Sequence, residues 1–516
     1  MLGAAVIAAA LVFVSTRSPG PGLDPDAMAY MGAATSMVHQ GRMRVPTAEW
    51  DRPDSTSTLS LWPPGFPAAL ALPISLGASP IQSARWINII SAAVIAGTIV
   101  LIVASPLGLW AGVIAAAIVF ATPAVFDTNI SVLSEPLFIA LMLLLVAAMV
   151  HARDRLILLS ALATAVVMVR YAGAAAPAAV VVWTLLDSRR DWRSRVRRAM
   201  IVALLPLIAI AAWFGRTAIA TDRHATPKLK LYGNWGGTLI QARDTFAEWL
   251  APLLSDGTLQ RFIAAIVAIA LAGFIIAAAS DTAGSRLRQL RVSGVATVLG
   301  ATSLLGGLYI VVVLASRAFV GGTIPLDWRI LAPLIVLIEI AVVTAIGYWW
   351  RAYHFPVHAT IAVLGLIWFI ATVTVTANDA IYAGTEGSDF AGSKWSQSPL
   401  TAWVRDHATG RPLYSNWPPA LYFYAHRIAR ELPDSTDQQD VSGFAEKIRV
   451  NHGYVVGFDE RSPDFMSPET LARELGLHQV VRTADGTVWT ADAGAILTPV
   501  GQEPAATGPA TPQRRR

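Results

Sequence analysis

The sequence predicts an α-helical polytopic membrane protein that ends in a small α/β domain outside the bilayer. Three observations carry this. Of the 516 residues, 54% are hydrophobic and 14% charged, with a mean hydropathy of +0.53. A soluble domain carries roughly 25% charged residues, so soluble enzymes, disordered chains and fibrous repeats are excluded. The charges are also uneven: 30 of the 73 fall in residues 379–516, at about twice the density of the first 378. Third, arginines cluster in short loops between apolar runs, which signals topology rather than nucleic-acid binding. The expected domains are a membrane domain over 1–378 with its first outer loop at 16–82, a soluble domain over 379–498, and a disordered tail over 499–516.

A spanning helix needs about 20 mostly apolar residues. Candidate spans lie near 2–15, 83–104, 109–124, 132–150, 156–170, 172–187, 199–219, 260–280, 294–315, 329–349 and 356–377, eleven in all. The first is short, but it lacks the small-residue cleavage pattern of a signal peptide and is read as a span. With this count the arginines of loops 151–155, 188–198, 285–291 and 350–354 all fall on one face, which the positive-inside rule makes cytoplasmic. One missed span would scatter them. A plasma-membrane location with an extracytoplasmic C-terminal domain is expected. The preference for Arg over Lys and the abundance of Ala fit a high-GC bacterial genome.

In the C-terminal domain, 400–409 and 417–430 read as helices, and 412–415 and 453–458 as strands. Ser467 to Gly476 is a helix with Pro at its first position and a closing glycine. Residues 480–483 and 487–490 flank Asp485-Gly486, a hairpin signal. The tail is rich in Pro, Ala and Thr.

The outer face gathers ionisable groups. Carboxylates include Asp24, Asp26, Asp54, Asp127, Glu135, Asp244 and Asp327; cations include Arg85, Arg170, Arg216, Lys228, Lys230, Arg317 and Arg329. A transporter would place such groups inside broken helices of repeated halves, but no internal repeat is visible and Glu339 is the main charge within a span. Without cysteine, thiolate metal sites and cysteine nucleophiles are excluded. His39, His224 and His426 stand alone, without metal-ligand spacing. No cofactor is called for by the residues.

The most informative stretches are Asp24-Pro-Asp26-Ala-Met-Ala-Tyr30, Trp62-Pro-Pro-Gly-Phe-Pro67, Arg85, Ser134-Glu135-Pro136-Leu137, Arg170-Tyr171 and Asp327-Trp328-Arg329-Ile-Leu-Ala-Pro333. Their order resembles the GT-C superfamily of integral-membrane glycosyltransferases, in particular the protein O-mannosyltransferase and lipid A aminoarabinose transferase branch. That branch carries an acidic Asp-Glu-x-x-Tyr motif in the first outer loop. Asp26 and Tyr30 match it; Ala27 stands where the second acid belongs, and Asp24 is the candidate replacement. The resemblance covers roughly 20–335. It implies an inverting glycosyltransferase that moves a sugar from a polyprenyl-phosphate donor to an envelope glycan, lipid or protein at the outer membrane surface. A divalent ion held by Asp24 and Asp26 is compatible with it, since some members use one.

Such chemistry needs a carboxylate base for the acceptor hydroxyl and cations for the departing phosphate. The resemblance points to Asp26 as base, with Asp24 beside it. Arg170 and Arg329 are the foremost phosphate contacts, with Arg85, Arg317, Lys228 and Lys230 behind them. Tyr30, Glu135, Tyr171 and Asp327 complete the substrate set. Plainer roles compete: Asp24 as a helix cap, the arginines as snorkelling anchors, Glu135 as a dipole partner, and Trp62 and Trp328 as an aromatic belt. An envelope-lipid flippase is the alternative function, and a non-catalytic scaffold the third.

Overall fold

The computed structural model describes residues 1–48, 52–220, 231, 233, 235–254, 256–281, 294–321, 324–350, 355–433, 438–462 and 465–492. Lys228, Lys230, His224, the arginine loop 285–291, the loop 350–354 apart from its first residue, and the tail 499–516 lie outside the described residues. Helices stand at all eleven expected positions. Five are long and apolar enough to cross a membrane: Pro80–Leu107, Trp192–Ala220, Val295–Phe319, Trp328–Trp350 and, from His358, Phe355–Thr385. Leu109–Ala121 and Pro123–Ile130 make a sixth if counted as one bent span, with a 71° break at Thr122. Several others, such as Leu2–Ser15, Glu135–His151 and Leu156–Val169, are apolar and 10–17 residues long. Among the described residues, five or six helices meet the length and hydropathy of a full span; the remaining positions hold shorter apolar helices and the 25-residue Gly257–Asp281.

The chain divides into two compact units at Ser393/Lys394, and the helix expected over 356–377 runs on to Thr385. The first unit comprises Met1–Val45 and Thr58–Ser393; the second comprises Pro46–Ser57 and Lys394 onward.

In the first unit, local signals fix the parts that carry polar groups. Asp24 caps Pro25–Gln40, its side chain accepting from the Asp26 amide at 3.1 Å, with Pro25 at the first helical position and Gly41 closing the helix at φ 61°. The strand-like residues before it are held on both sides. Gly22 N–H donates to Ile130 O and Val132 N–H to Gly22 O, while Phe390 N–H donates to Leu23 O. A Cβ on Gly22 would meet Ser131 Oγ at 2.7 Å, so the close approach requires glycine. Asn88, buried in Pro80–Leu107, donates to Asn129 O and Ser131 O and fixes the other side of this junction.

The second unit has a five-stranded sheet in the order 430–431, 413–415, 454–458, 486–490, 478–482. The first three strands are parallel and the last two join antiparallel as the expected hairpin. Tyr414, Phe444, Ile448, Val455, Leu471 and Trp489 form its core. Ser398 and Ser467 cap helices Pro399–His407 and Pro468–Leu475, and Gly476 ends the latter at φ 64°. The expected helix 417–430 is short, Pro418–Ala425, and gives way to the edge strand Arg430–Glu431; helix Gln438–Asn451 was not foreseen. The segment 46–57 enters this unit through Asp54, which accepts from Arg427 Nε at 2.9 and 3.0 Å and from the Ile428 amide at 2.9 Å.

Candidate functional site

Four distant pieces of the first unit bring one ionic cluster together. Arg329 lies in the first turn of Trp328–Trp350. Its Nη1 is 3.1 Å from both oxygens of Asp24, its Nη2 is 2.9 Å from Asp26 Oδ2, and its Nε is 3.3 Å from Glu135 Oε1. All three guanidinium nitrogens thus face carboxylates. Arg170 approaches from the opposite side, its Nη1 2.7 Å from Glu135 Oε1 and 2.8 Å from Ser134 Oγ. Glu135 is fully buried at the start of Glu135–His151 and holds both guanidinium groups. Asp26 is the most open carboxylate of the set: its side chain keeps 30% exposure, against 13% for Asp24 and none for Glu135.

Aromatic residues wall the cluster. Tyr30, one turn after Asp26, is buried, with its hydroxyl 3.3 Å from Ser134 Oγ and its ring edge-on to Phe66 and Trp62. Its burial, with Asp26 nearby, pushes its pKa well above the usual phenol value, so it stays neutral. Tyr309, also buried, donates to Ile330 O at 2.7 Å and contacts Phe138.

Backbone packing sets where Arg170 stands. A Cβ on Gly65 would come within 2.5 Å of Met168 O, so the helix Gly65–Ser75 begins directly against the end of Leu156–Val169. The Pro-Pro-Gly-Phe-Pro stretch is therefore a close-packing device that seats the turn leading to Arg170.

Three carboxylates, Asp24, Asp26 and Glu135, share two guanidinium groups, Arg170 and Arg329, which leaves one surplus negative charge. Asp24 bears the consequence. Its burial pushes its pKa up to about 7; Arg329 opposes this, while Asp26 and Asp389 add to it.

The other expected site residues are placed elsewhere. Arg85 closes the end of Leu2–Ser15, donating to Thr16 Oγ1 and Phe13 O and lying over the Phe13 ring. Tyr171 turns to Ser60 O and Trp213. Arg317 donates to Thr238 Oγ1 at 2.9 Å. Asp327 caps its own helix through the Ile330 amide at 3.0 Å. Asp24 does cap a helix, but it also belongs to the cluster. Tyr309, Asn88 and Asp389 were not foreseen; of these only Asn88 had a sequence signal, a lone amide within an apolar span.

Among the described residues no group of three or more His, Cys, Asp or Glu side chains is placed to hold a metal ion. The carboxylates that gather do so around guanidinium groups, which occupy the positions a divalent ion would need, so this arrangement does not fit a metal centre.

No family model and no curated protein matches the chain. Solved structures do. A mutant of the mycobacterial arabinofuranosyltransferase AftD matches with a TM-score of 0.52 at 14% identity, over 95% of this chain and 41% of that one. The apo oligosaccharyltransferase of Archaeoglobus fulgidus matches with a TM-score of 0.50 at 12% identity, over 89% and 69%. ArnT from Cupriavidus metallidurans, solved bound to undecaprenyl phosphate, matches at 0.48 and 15% over 96% and 98%. The chain shares the fold of the first two, an arabinofuranosyltransferase and an oligosaccharyltransferase.

Proposed function

We propose that this protein is an inverting glycosyltransferase that moves a sugar from a polyprenyl-phosphate donor to an envelope acceptor on the extracytoplasmic face. The observation that carries this reading is the cluster of Asp24, Asp26, Glu135, Arg170 and Arg329, built from four separate segments at the end of the bundle away from the arginine-rich loops. The solved ArnT complex, with undecaprenyl phosphate, is consistent with a lipid-phosphate donor.

In this reading Asp26 takes the proton of the acceptor hydroxyl as that oxygen bonds to the anomeric carbon from the face opposite the phosphate. The anomeric C–O bond breaks, and its electron pair leaves on the lipid phosphate, which becomes a dianion. Arg170 receives that charge. It spends only Nη1 on Glu135 and Ser134, so among the described residues its Nε and Nη2 hydrogens remain for phosphate oxygens. Arg329 is different: it is saturated by carboxylates, so it orients Asp26 and reaches the phosphate only by exchanging a carboxylate for it. No step is assigned to a metal ion.

Lipid transport is favoured by one observation. Glu339 is buried inside Trp328–Trp350, where its Oε1 accepts from Thr122 at the helix break (2.6 Å) and from Trp249 (3.0 Å), while Oε2 has no partner among the described residues. The two readings separate when the protein, in vesicles, is given a radiolabelled polyprenyl-phosphate sugar. Label passing to an acceptor supports transfer; label crossing the bilayer on its original lipid supports transport.

A further inference from the structure

We propose that the arginine-rich end of the bundle holds a binding site for the phosphate-bearing headgroup of an anionic phospholipid. A cavity of about 470 Å³ opens there, lined by His151, Arg153, Asp154, Arg155, Gly294 and Thr297. It lies between the end of Glu135–His151 and the start of Val295–Phe319, on the face that the positive-inside rule assigns to the cytoplasm.

The cavity's charges are arranged to leave cations over. Asp154, its one carboxylate, is already taken: Arg190 Nη2 lies 2.9 Å and Arg198 Nη2 2.8 Å from its Oδ1. The hydrogen bond from Arg190 holds its carboxyl below the usual range, so it stays charged and keeps both arginines in place. Arg153 and Arg155, on either side of it, are exposed and have no carboxylate partner among the described residues. Two free guanidinium groups at the mouth of a polar cavity match an anion with several acceptor oxygens.

Exposed apolar side chains close to the cavity favour a lipid over a soluble anion. Ile157, two residues after Arg155, is 80% exposed, and Trp110 is 78% exposed. Trp110 follows the end of Pro80–Leu107, whose Pro106 packs against Gly294 of the cavity wall. Exposed apolar and indole side chains beside a basic pocket are what an acyl chain and a membrane interface provide for.

Native mass spectrometry of the full chain in detergent tests this, with phosphatidylglycerol, phosphatidylcholine and inorganic phosphate as probes. Phosphatidylglycerol is expected to be retained over phosphatidylcholine. The Arg153→Gln/Arg155→Gln variant should lose that retention by on the order of tenfold, while an Arg193→Gln/Arg197→Gln variant, altered in the basic first turns of Trp192–Ala220 outside the cavity, should keep it. Equal loss in both variants would reduce the effect to a diffuse basic field and overturn the site. Binding of inorganic phosphate as tightly as phosphatidylglycerol would overturn its assignment to a lipid. Because the readout is lipid retention, it is independent of the transfer reaction.

Discussion

Arg329 meets Asp24 through a single nitrogen that touches both carboxylate oxygens at 3.1 Å, across 305 positions of sequence. The same guanidinium reaches Asp26 and Glu135, so one side chain ties the first outer loop to two helices.

Replacing Arg329 should therefore cost more than one ion pair. Arg329→Gln leaves Asp24, Asp26 and Glu135 with one guanidinium between them. Losing a partner from a buried pair costs about 3–5 kcal/mol, so a clear drop in Tm is expected. Arg329→Lys should rescue little, because a point charge cannot serve three carboxylates at once. A Lys variant with wild-type Tm contradicts this.

Glu135→Gln poses the complementary case. It removes the fully buried carboxylate that neutralises Arg170 and Arg329. A loss of about 3–5 kcal/mol is expected from the uncompensated buried charge, read as the midpoint of thermal unfolding in detergent.

Asp24 makes stability depend on pH in a defined direction. Its folded pKa of about 7 lies above the ordinary aspartate value of 3.8, so between about pH 4 and 7 the folded state binds more protons than the unfolded one. Its contribution to stability then falls as pH rises through that window and levels off above it. Asp24→Asn should remove this slope. Matching Tm-versus-pH curves for the two proteins would count against the assignment.

Gly65→Ala should act at a distance. Its new Cβ would press on Met168 O at 2.5 Å, so the end of Leu156–Val169 must shift and take Arg170 with it. Overpacking of this kind costs about 1–3 kcal/mol. Donor affinity is expected to weaken along with Tm; an unchanged affinity would show that Arg170 is not seated by this contact.

Within the second unit, Arg427→Ala should release segment 46–57. Arg427 is buried and pairs with Asp54, and it also donates to Ala408 O. Limited proteolysis should then cut within 46–57 faster than in the wild type.

Much of this was readable beforehand, for physical reasons. The apolar runs placed the eleven apolar helices of the first unit, because burial in a bilayer demands long uninterrupted hydrophobic stretches, but not the more polar Gly236–Leu250. They could not give helix lengths, since a stretch such as 135–151 is equally apolar whether it spans fully or only in part. Asp26 and Asp24 were singled out by the resemblance of their stretch to the acidic first-loop motif, and Glu135, Arg170 and Arg329 by the same resemblance and by their place at span ends, where ionisable groups are costly unless used. Their mutual pairing was not readable, because partners 194 and 303 positions apart leave no local pattern. Arg85, Tyr171 and Asp327 carried the same span-end signal but are engaged by Phe13, Ser60 and their own helix. In the second unit the caps at Ser467 and Gly476 and the hairpin at Asp485-Gly486 were plain. Helix Gln438–Asn451 was missed although Val441, Phe444 and Ile448 recur at helical spacing and pack into the core; its surrounding residues are polar, and the stripe is only three residues long.

The most direct test of the central claim compares Asp26→Asn with the wild type for both donor binding and sugar transfer. The account predicts polyprenyl-phosphate binding within a few-fold of wild type and a transfer rate lower by about 10²–10⁴, the usual contribution of a general base. Transfer at the wild-type rate by Asp26→Asn would contradict it.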